Sequence, residues 1–148
     1  MRRVKVTCVW GLFWFLWQLE DLTVAKILIV DDEKSMRDLY SEELGGEGYD
    51  VITAGEGREV SELISSEKPS ALVLDIRMED CDGLDLLQEV RNAHPDLPII
   101  LNTAYDSYRE DVKSTAADYY VVKSFDLSEL KLRLSAVFKE RRNRKHPL

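Results

Sequence analysis

The chain has 148 residues, 45% of them hydrophobic, which suits one domain with a sizeable core. A formal net charge of -8 excludes a general nucleic-acid binder, since nothing here neutralises a run of phosphates, and favours small or cationic partners or a metal. The two cysteines, Cys8 and Cys81, stand in different contexts, so no disulfide framework is indicated and a reducing compartment is expected.

Composition changes sharply near residue 24. Residues 1–24 form an apolar extension in which Val6 to Trp17, VTCVWGLFWFLW, holds all three tryptophans. MRRVK before it gives the look of a signal peptide, but no small-residue cleavage site follows. The run is short for a bilayer span. Three readings stay open: a signal peptide, an interfacial or partner-binding helix with Trp10, Trp14 and Trp17 on one face, or upstream sequence read in frame ahead of a start at Val24. Membrane contact is expected only if residues 1–23 are translated.

From Ala25 onward apolar runs of strand length alternate with helical periodicity. Lys26 to Val30 is the first strand, and Met36, Leu39, Tyr40 and Leu44 form a helical stripe stopped by Gly45, Gly46 and Gly48. Asp50 to Ala54 follows as a strand, then a helix on Val60, Leu63 and Ile64 ended by Lys68 and Pro69. Ala71 to Leu74 precedes a helix on Leu84, Leu86, Leu87 and Val90, closed by His94 and Pro95. Pro98 to Asn102 and Tyr119 to Val122 complete five strands, and a last helix carries Leu127, Leu130, Leu132, Leu134, Val137 and Phe138. Strands one, three and four are nearly continuous aliphatic runs, as in a parallel sheet covered on both faces. The expectation is one flavodoxin-like, doubly wound α/β domain over residues 25–138, with a basic tail at 139–148.

Ligand sites in such folds lie beyond the carboxyl ends of the strands. Strand one ends in Asp31 and Asp32, strand three in Asp75, strand four in Asn102 and Thr103, and strand five in Lys123. Clustered carboxylates repel one another unless a cation neutralises them, and hard oxygen ligands in this number suit Mg2+. A carboxylate oxygen of Asp75 could then attack a phosphoryl group, with Lys123 and Thr103 meeting its oxygens.

VDDE, VLDIRM with Gly83 eight residues after Asp75, NTA, and DYYVVKSF resemble, in order and spacing, the receiver domain of bacterial two-component response regulators. The resemblance implies that Asp75 is the phosphoacceptor and that Asp31, Asp32, Asp75 and the Arg77 backbone carbonyl hold Mg2+, Asp32 directly and Asp31 through water. It implies Thr103 and Tyr120 as switch residues, Lys123 as the family's lysine, and a phosphohistidine on a sensor histidine kinase or phosphotransfer protein as donor. The expected protein is a cytoplasmic stand-alone receiver that signals by protein contact or passes phosphate along a relay. It binds no nucleic acid directly and is not a conventional turnover enzyme.

Three departures stand out. Ser124 follows Lys123 where the family usually has a cis-linked proline, so Lys123 is expected to reach the pocket along a shifted loop. Glu79 and Asp80 replace the usual proline and glycine and, with Asp82, either crowd the site with charge or face solvent. The stretch from Thr103 to Lys123 is short, so the family's fourth helix is expected to be shortened or irregular. Blander readings accompany the site: the Asp pair as helix capping or turn chemistry, Thr103 as a turn residue, at least one of Tyr119 and Tyr120 as core, and His94 and His146 on the surface. Cys81 reads as a loop thiol and KERRNRK as a polar helix end and frayed tail. The rivals are a phosphorylation-independent adaptor of the same fold and a magnesium-dependent phosphatase, whose usual DxD spacing DDE lacks.

Overall fold

The computed structural model describes residues 24–145; the apolar run Val6 to Trp17, Cys8 and His146 lie outside the described residues. Five strands, β1 (Lys26–Val30), β2 (Asp50–Ala54), β3 (Ala71–Leu74), β4 (Ile99–Thr103) and β5 (Tyr119–Val122), form one parallel sheet in the order β2-β1-β3-β4-β5. Four helices connect and flank them: α1 (Lys34–Gly46), α2 (Val60–Glu67), α3 (Gly83–Ala93) and α4 (Ser128–Lys145).

Strand alternation sorts the core into two layers. Leu28, Val30, Leu72, Leu74, Ile99 and Leu101 face Val60 and Ile64 of α2 and Leu84, Leu87 and Val90 of α3. Ile27, Ile29, Val73, Ile100 and Val121 face Tyr40 and Leu44 of α1 and Leu130, Leu134 and Val137 of α4. Each such aliphatic side chain contributes about 1.5–3 kcal/mol when fully buried, and the buried middles of the central strands β1, β3 and β4 are accordingly aliphatic.

Helix ends follow local chemistry. After α1 the chain turns at Gly48, whose φ of 94° is costly for residues with a side chain. Asp82 caps α3 by accepting the Leu84 N–H at 2.8 Å. One apolar position is corrected: Leu132 is 64% exposed. It stands two residues, about 200°, from Leu130 and Leu134 on the helix, so it cannot share their inward stripe. The basic run Lys139 to Lys145 is, as expected, the polar end of α4, with helix continuing through Lys145. No helix among the described residues is long and apolar enough to cross a membrane.

Between β4 and β5 the structure has two short 3-10 turns, Asp106–Tyr108 and Val112–Ala116, in place of a regular helix. Short polar side chains favour this local bonding: Asp111 accepts the Lys113 N–H at 2.9 Å, and the Ser114 hydroxyl donates to the Tyr108 carbonyl at 2.7 Å. α3 holds the second turn, with Gln88 donating to the Lys113 carbonyl at 3.0 Å and Arg91 to the Ala116 carbonyl at 2.8 Å.

Candidate functional site

Sheet register brings the predicted residues together. Val30 pairs with Leu74, so Asp31 and Asp75 emerge side by side, and the Asp75 N–H donates to the Val30 carbonyl at 3.0 Å. Thr103 pairs with Val122, and the Lys123 N–H donates to the Thr103 carbonyl at 2.7 Å. Carboxylate oxygens of Asp31, Asp32 and Asp75 lie within 4.8 Å of one another. Asp31 and Asp75 are buried, and Asp32 is half-buried.

Lys123 closes the cluster. Its Nζ lies 2.7 Å from Asp31 Oδ2 and 2.8 Å from Asp75 Oδ2, with Glu33 Oε1 at 3.9 Å. No cis peptide bond occurs among the described residues, and with serine at 124 the lysine still reaches both acids. One ammonium shared by several carboxylates leaves an uneven balance. Burial raises the Asp75 carboxyl above its ordinary range, even though hydrogen bonding and charge from Lys123 pull it down, and Asp31 pushes the same way as burial. Burial disfavours the Lys123 ammonium, but hydrogen bonds and charge from Asp31 and Asp75 outweigh it and raise the lysine.

The remaining acids have separate tasks. Asp31 Oδ1 accepts the Glu33 N–H at 2.9 Å, a turn just ahead of α1, so the turn reading of the Asp pair describes part of its work and the capping reading does not. Glu33 stands at the N-cap of α1 with no side-chain cap bond. Asp32 Oδ2 accepts the Glu79 N–H at 3.2 Å. Asp80 accepts the Gly57 and Arg58 N–H groups at 3.1 and 3.3 Å, and these bonds, Gly57 first, hold its carboxyl below the ordinary range. With Asp82 capping α3, two of the three loop acids are tied to backbone amides.

Thr103 is fully buried, and its hydroxyl has no hydrogen-bond partner among the described residues. Such an orphan is expensive unless a ligand group meets it. Tyr120, half-buried, packs on the α2 and α3 side of the sheet, donates its hydroxyl to the Tyr105 carbonyl and lies under the Arg109 guanidinium at 4.8 Å. Tyr119 packs on the opposite face and donates to Glu140 at 3.0 Å, so the two tyrosines do point apart. Arg77 forms a backbone bridge with Asp82 and lays its side chain over the Tyr105 ring at 5.0 Å.

Sequence reasoning missed a buried polar pair. Asn102 Nδ2 donates to the Tyr40 hydroxyl at 2.6 Å, both residues being at most 3% exposed. The polar Asn102 in an aliphatic strand was the available signal, because a buried amide needs a partner. Burial, partly offset by this bond, pushes the Tyr40 phenol up to about 12. The folded state therefore disfavours the phenolate, so stability present below pH 10 is lost as pH rises from 10 to 12, by about 3 kcal/mol for a shift of this size. Tyr40→Phe is expected to cost about 1–3 kcal/mol at neutral pH by orphaning the amide. Denaturant titrations should show the gap to wild type narrowing across that alkaline window; a constant gap is the contrary result. Lys123 titrates in the same direction in both proteins and cancels in the difference.

Comparison with known proteins agrees with this geometry. The family model described as response regulator receiver domain matches residues 27–135. Response regulator MprA of Mycolicibacterium vanbaalenii is 40% identical over 116 residues, which is 77% of this chain and 50% of that protein. The chain thus spans about half the length of the curated relatives it matches. The response regulator protein TrrA of Thermotoga maritima, crystallised in complex with Mg2+-BeF, is 44% identical with a TM-score of 0.75, over 77% of this chain and 99% of that one. A second crystal structure, of histidine kinase ThkA in complex with TrrA, matches at 44% identity and a TM-score of 0.73, over 77% of this chain and 98% of that one. A five-stranded parallel sheet ending in an acid triad and a half-buried lysine paired with it, together with these matches, places the chain in the response regulator receiver domain family.

Proposed function

We propose that the protein accepts a phosphoryl group on Asp75 from a phosphohistidine of a sensor histidine kinase or phosphotransfer protein and signals by a conformational switch. The observation that carries this is the convergence of Asp75 with Asp31, Asp32, Lys123 and the unpartnered Thr103 hydroxyl. Support for the donor comes from TrrA, which was crystallised with a histidine kinase.

The donor set fits Mg2+: three carboxylates within 4.8 Å offer hard oxygens to an ion that keeps several waters. Asp31, Asp32, Asp75 and the Arg77 carbonyl would hold it. Asp31 already uses one oxygen on Glu33 N–H and the other on Lys123, which suits contact through water. Bound there, the ion neutralises phosphoryl charge and aligns the group for in-line displacement.

The chain's own residues do the rest. Lys123 opposes the effect of burial on Asp75 and so keeps a carboxylate available as nucleophile. An Asp75 oxygen forms the new bond to phosphorus while the P–N bond breaks and its electron pair returns to the imidazole ring. Lys123 and the Thr103 hydroxyl then stabilise phosphoryl oxygens. Drawing Thr103 inward opens space on its side of β4, and Tyr120 leaves the Tyr105 carbonyl, which alters the surface formed by the 3-10 segment and β5. Output through protein contact at that surface, and self-catalysed phosphorylation without turnover of a separate substrate, belong to the same proposal.

Incubation with Mg2+ and acetyl phosphate should give an acid-stable, alkali-labile adduct by intact mass in wild type and none in Asp75→Ala. No adduct in either protein would overturn the reading in favour of the adaptor. Turnover of free phosphoester without a bound intermediate would favour the phosphatase.

A further inference from the structure

Arg37 is a cation in a place that does not favour its helix. The first turn of α1 holds no acid and begins with Lys34, so Lys34 and Arg37 both stand near the positive end of the helix dipole. Arg37 joins none of the ion pairs around it: Lys34 pairs with Asp38, and Glu33 and Asp31 face Lys123. Instead its Nη1 donates to the Asp31 backbone carbonyl at 2.7 Å. The guanidinium lies against Gly55, where an added Cβ would stand 3.1 Å from Nη1 and 3.3 Å from Cζ.

These contacts fix the backbone that leads into the acid pair. The Asp31 N–H donates to the Ala54 carbonyl at 3.1 Å, and Arg37 holds the carbonyl of the same residue. The Asp31 carboxylate is held by the Glu33 N–H and Lys123. Asp32 has far less support, a single bond of 3.2 Å from the Glu79 N–H. Its direction is therefore set mainly through the Asp31–Asp32 peptide, and Arg37 is the side chain that grips that peptide.

We propose that Arg37 is a positioning residue for metal binding: by clamping the Asp31 carbonyl it holds Asp32 in the orientation needed to bind a divalent cation, and Gly55 is bare so that the guanidinium can lie there. The proposal rests on the magnesium reading above. Charge and positioning predict opposite signs, which makes them separable. Removing a nearby positive charge strengthens cation binding, whereas loosening the peptide weakens it.

The test is calorimetric titration of Mg2+ into the full chain, with thermal melts alongside, for wild type, Arg37→Met, Arg37→Lys, Gly55→Val and Arg141→Met. Arg141 donates to the Ser70 carbonyl at 3.0 Å at the far end of the sheet and controls for the loss of one arginine–carbonyl bond. The dissociation constant should rise about tenfold in Arg37→Met. It should recover partly in Arg37→Lys, rise in Gly55→Val with the arginine still present, and stay at the wild-type value in Arg141→Met. An unchanged or tighter constant in Arg37→Met overturns the proposal whatever its melting temperature; if that variant does not fold, Gly55→Val decides by the same criterion. Wild type that takes up no Mg2+ overturns the metal reading itself, a result distinct from a variant that binds as wild type does.

Discussion

Gly83→Ala is expected to destabilise the protein by about 3 kcal/mol or more, at the upper end of overpacking effects. An added Cβ would stand 2.1 Å from the Asp75 carbonyl oxygen, 2.6 Å from Ile76 Cα and 2.8 Å from the Ile76 oxygen. All three are backbone atoms, so no side-chain rotation can relieve the overlap. The Gly83 N–H also donates to the Ile76 carbonyl at 2.7 Å, and that bond must lengthen if the segments part. A loss of this size lowers the thermal midpoint by roughly 10 °C. Because the chain displaced is the end of β3, the Asp75 carboxylate moves with it, and adduct formation with acetyl phosphate should fall in the surviving folded fraction. Gly45→Ala is the matched control. It lies near the end of α1 with nothing within 4 Å of its added Cβ, and alanine there should stabilise by roughly 0.5–1 kcal/mol. Equal melting temperatures for the two variants would show that the close approach at Gly83 is relieved cheaply.

The two glycines show what a sequence does and does not disclose. Gly45 and Gly46 read as a helix stop from composition alone, and α1 does end at Gly46. Gly83 was visible only as part of a motif; its steric role depends on Asp75 and Ile76, which the fold brings against it. The same division runs through the site. Strand ends are readable because each apolar run gives way to polar residues there, even though Asp31, Asp75 and Thr103 are still buried, and that placed Asp31, Asp32, Asp75, Thr103 and Lys123 at one end of the sheet. What periodicity could not supply was the partner of each polar atom. Asp80 looked like added charge at the site, yet its carboxylate serves the amides of Gly57 and Arg58 on a neighbouring loop. Tyr40 counted as one more apolar position, although its hydroxyl supports Asn102. Arg37 carried only the weak signal of a cation near a helix N-terminus. The segment between β4 and β5 was uncertain for a related reason: its Asp, Ser and Thr side chains bond locally, so periodicity is a poor guide there.

Lys123→Met tests how the acid cluster is held together. The lysine side chain is 9% exposed, and those of Asp31 and Asp75 are 2% and 6% exposed, so solvent screens these pairs little. Removing one partner of a buried pair typically costs about 3–5 kcal/mol because the charge left behind is uncompensated. The cost should be largest near neutral pH, because wild type loses the ammonium's contribution as pH rises past the ordinary lysine range. Asp75 already has a raised folded-state carboxyl, and losing Lys123 removes its main downward influence. In the window above the ordinary aspartate range the folded variant then holds a proton that the unfolded chain has released, so its stability falls as pH rises through the raised value. Urea titrations of the variant should therefore show the deficit shrinking toward acid pH. If Mg2+ binds at the three carboxylates as proposed, saturating Mg2+ should stabilise Lys123→Met more than wild type, because the ion no longer competes with an ammonium for Asp31 and Asp75. Phosphorylation should be impaired even with Mg2+ present, since the metal can restore charge balance but not the ammonium contact to the phosphoryl oxygens. A variant as stable as wild type at every pH would mean that the two ion pairs contribute nothing net to the fold. A stability deficit indifferent to both pH and Mg2+ would locate the loss in packing of the lysine stem rather than in its charge.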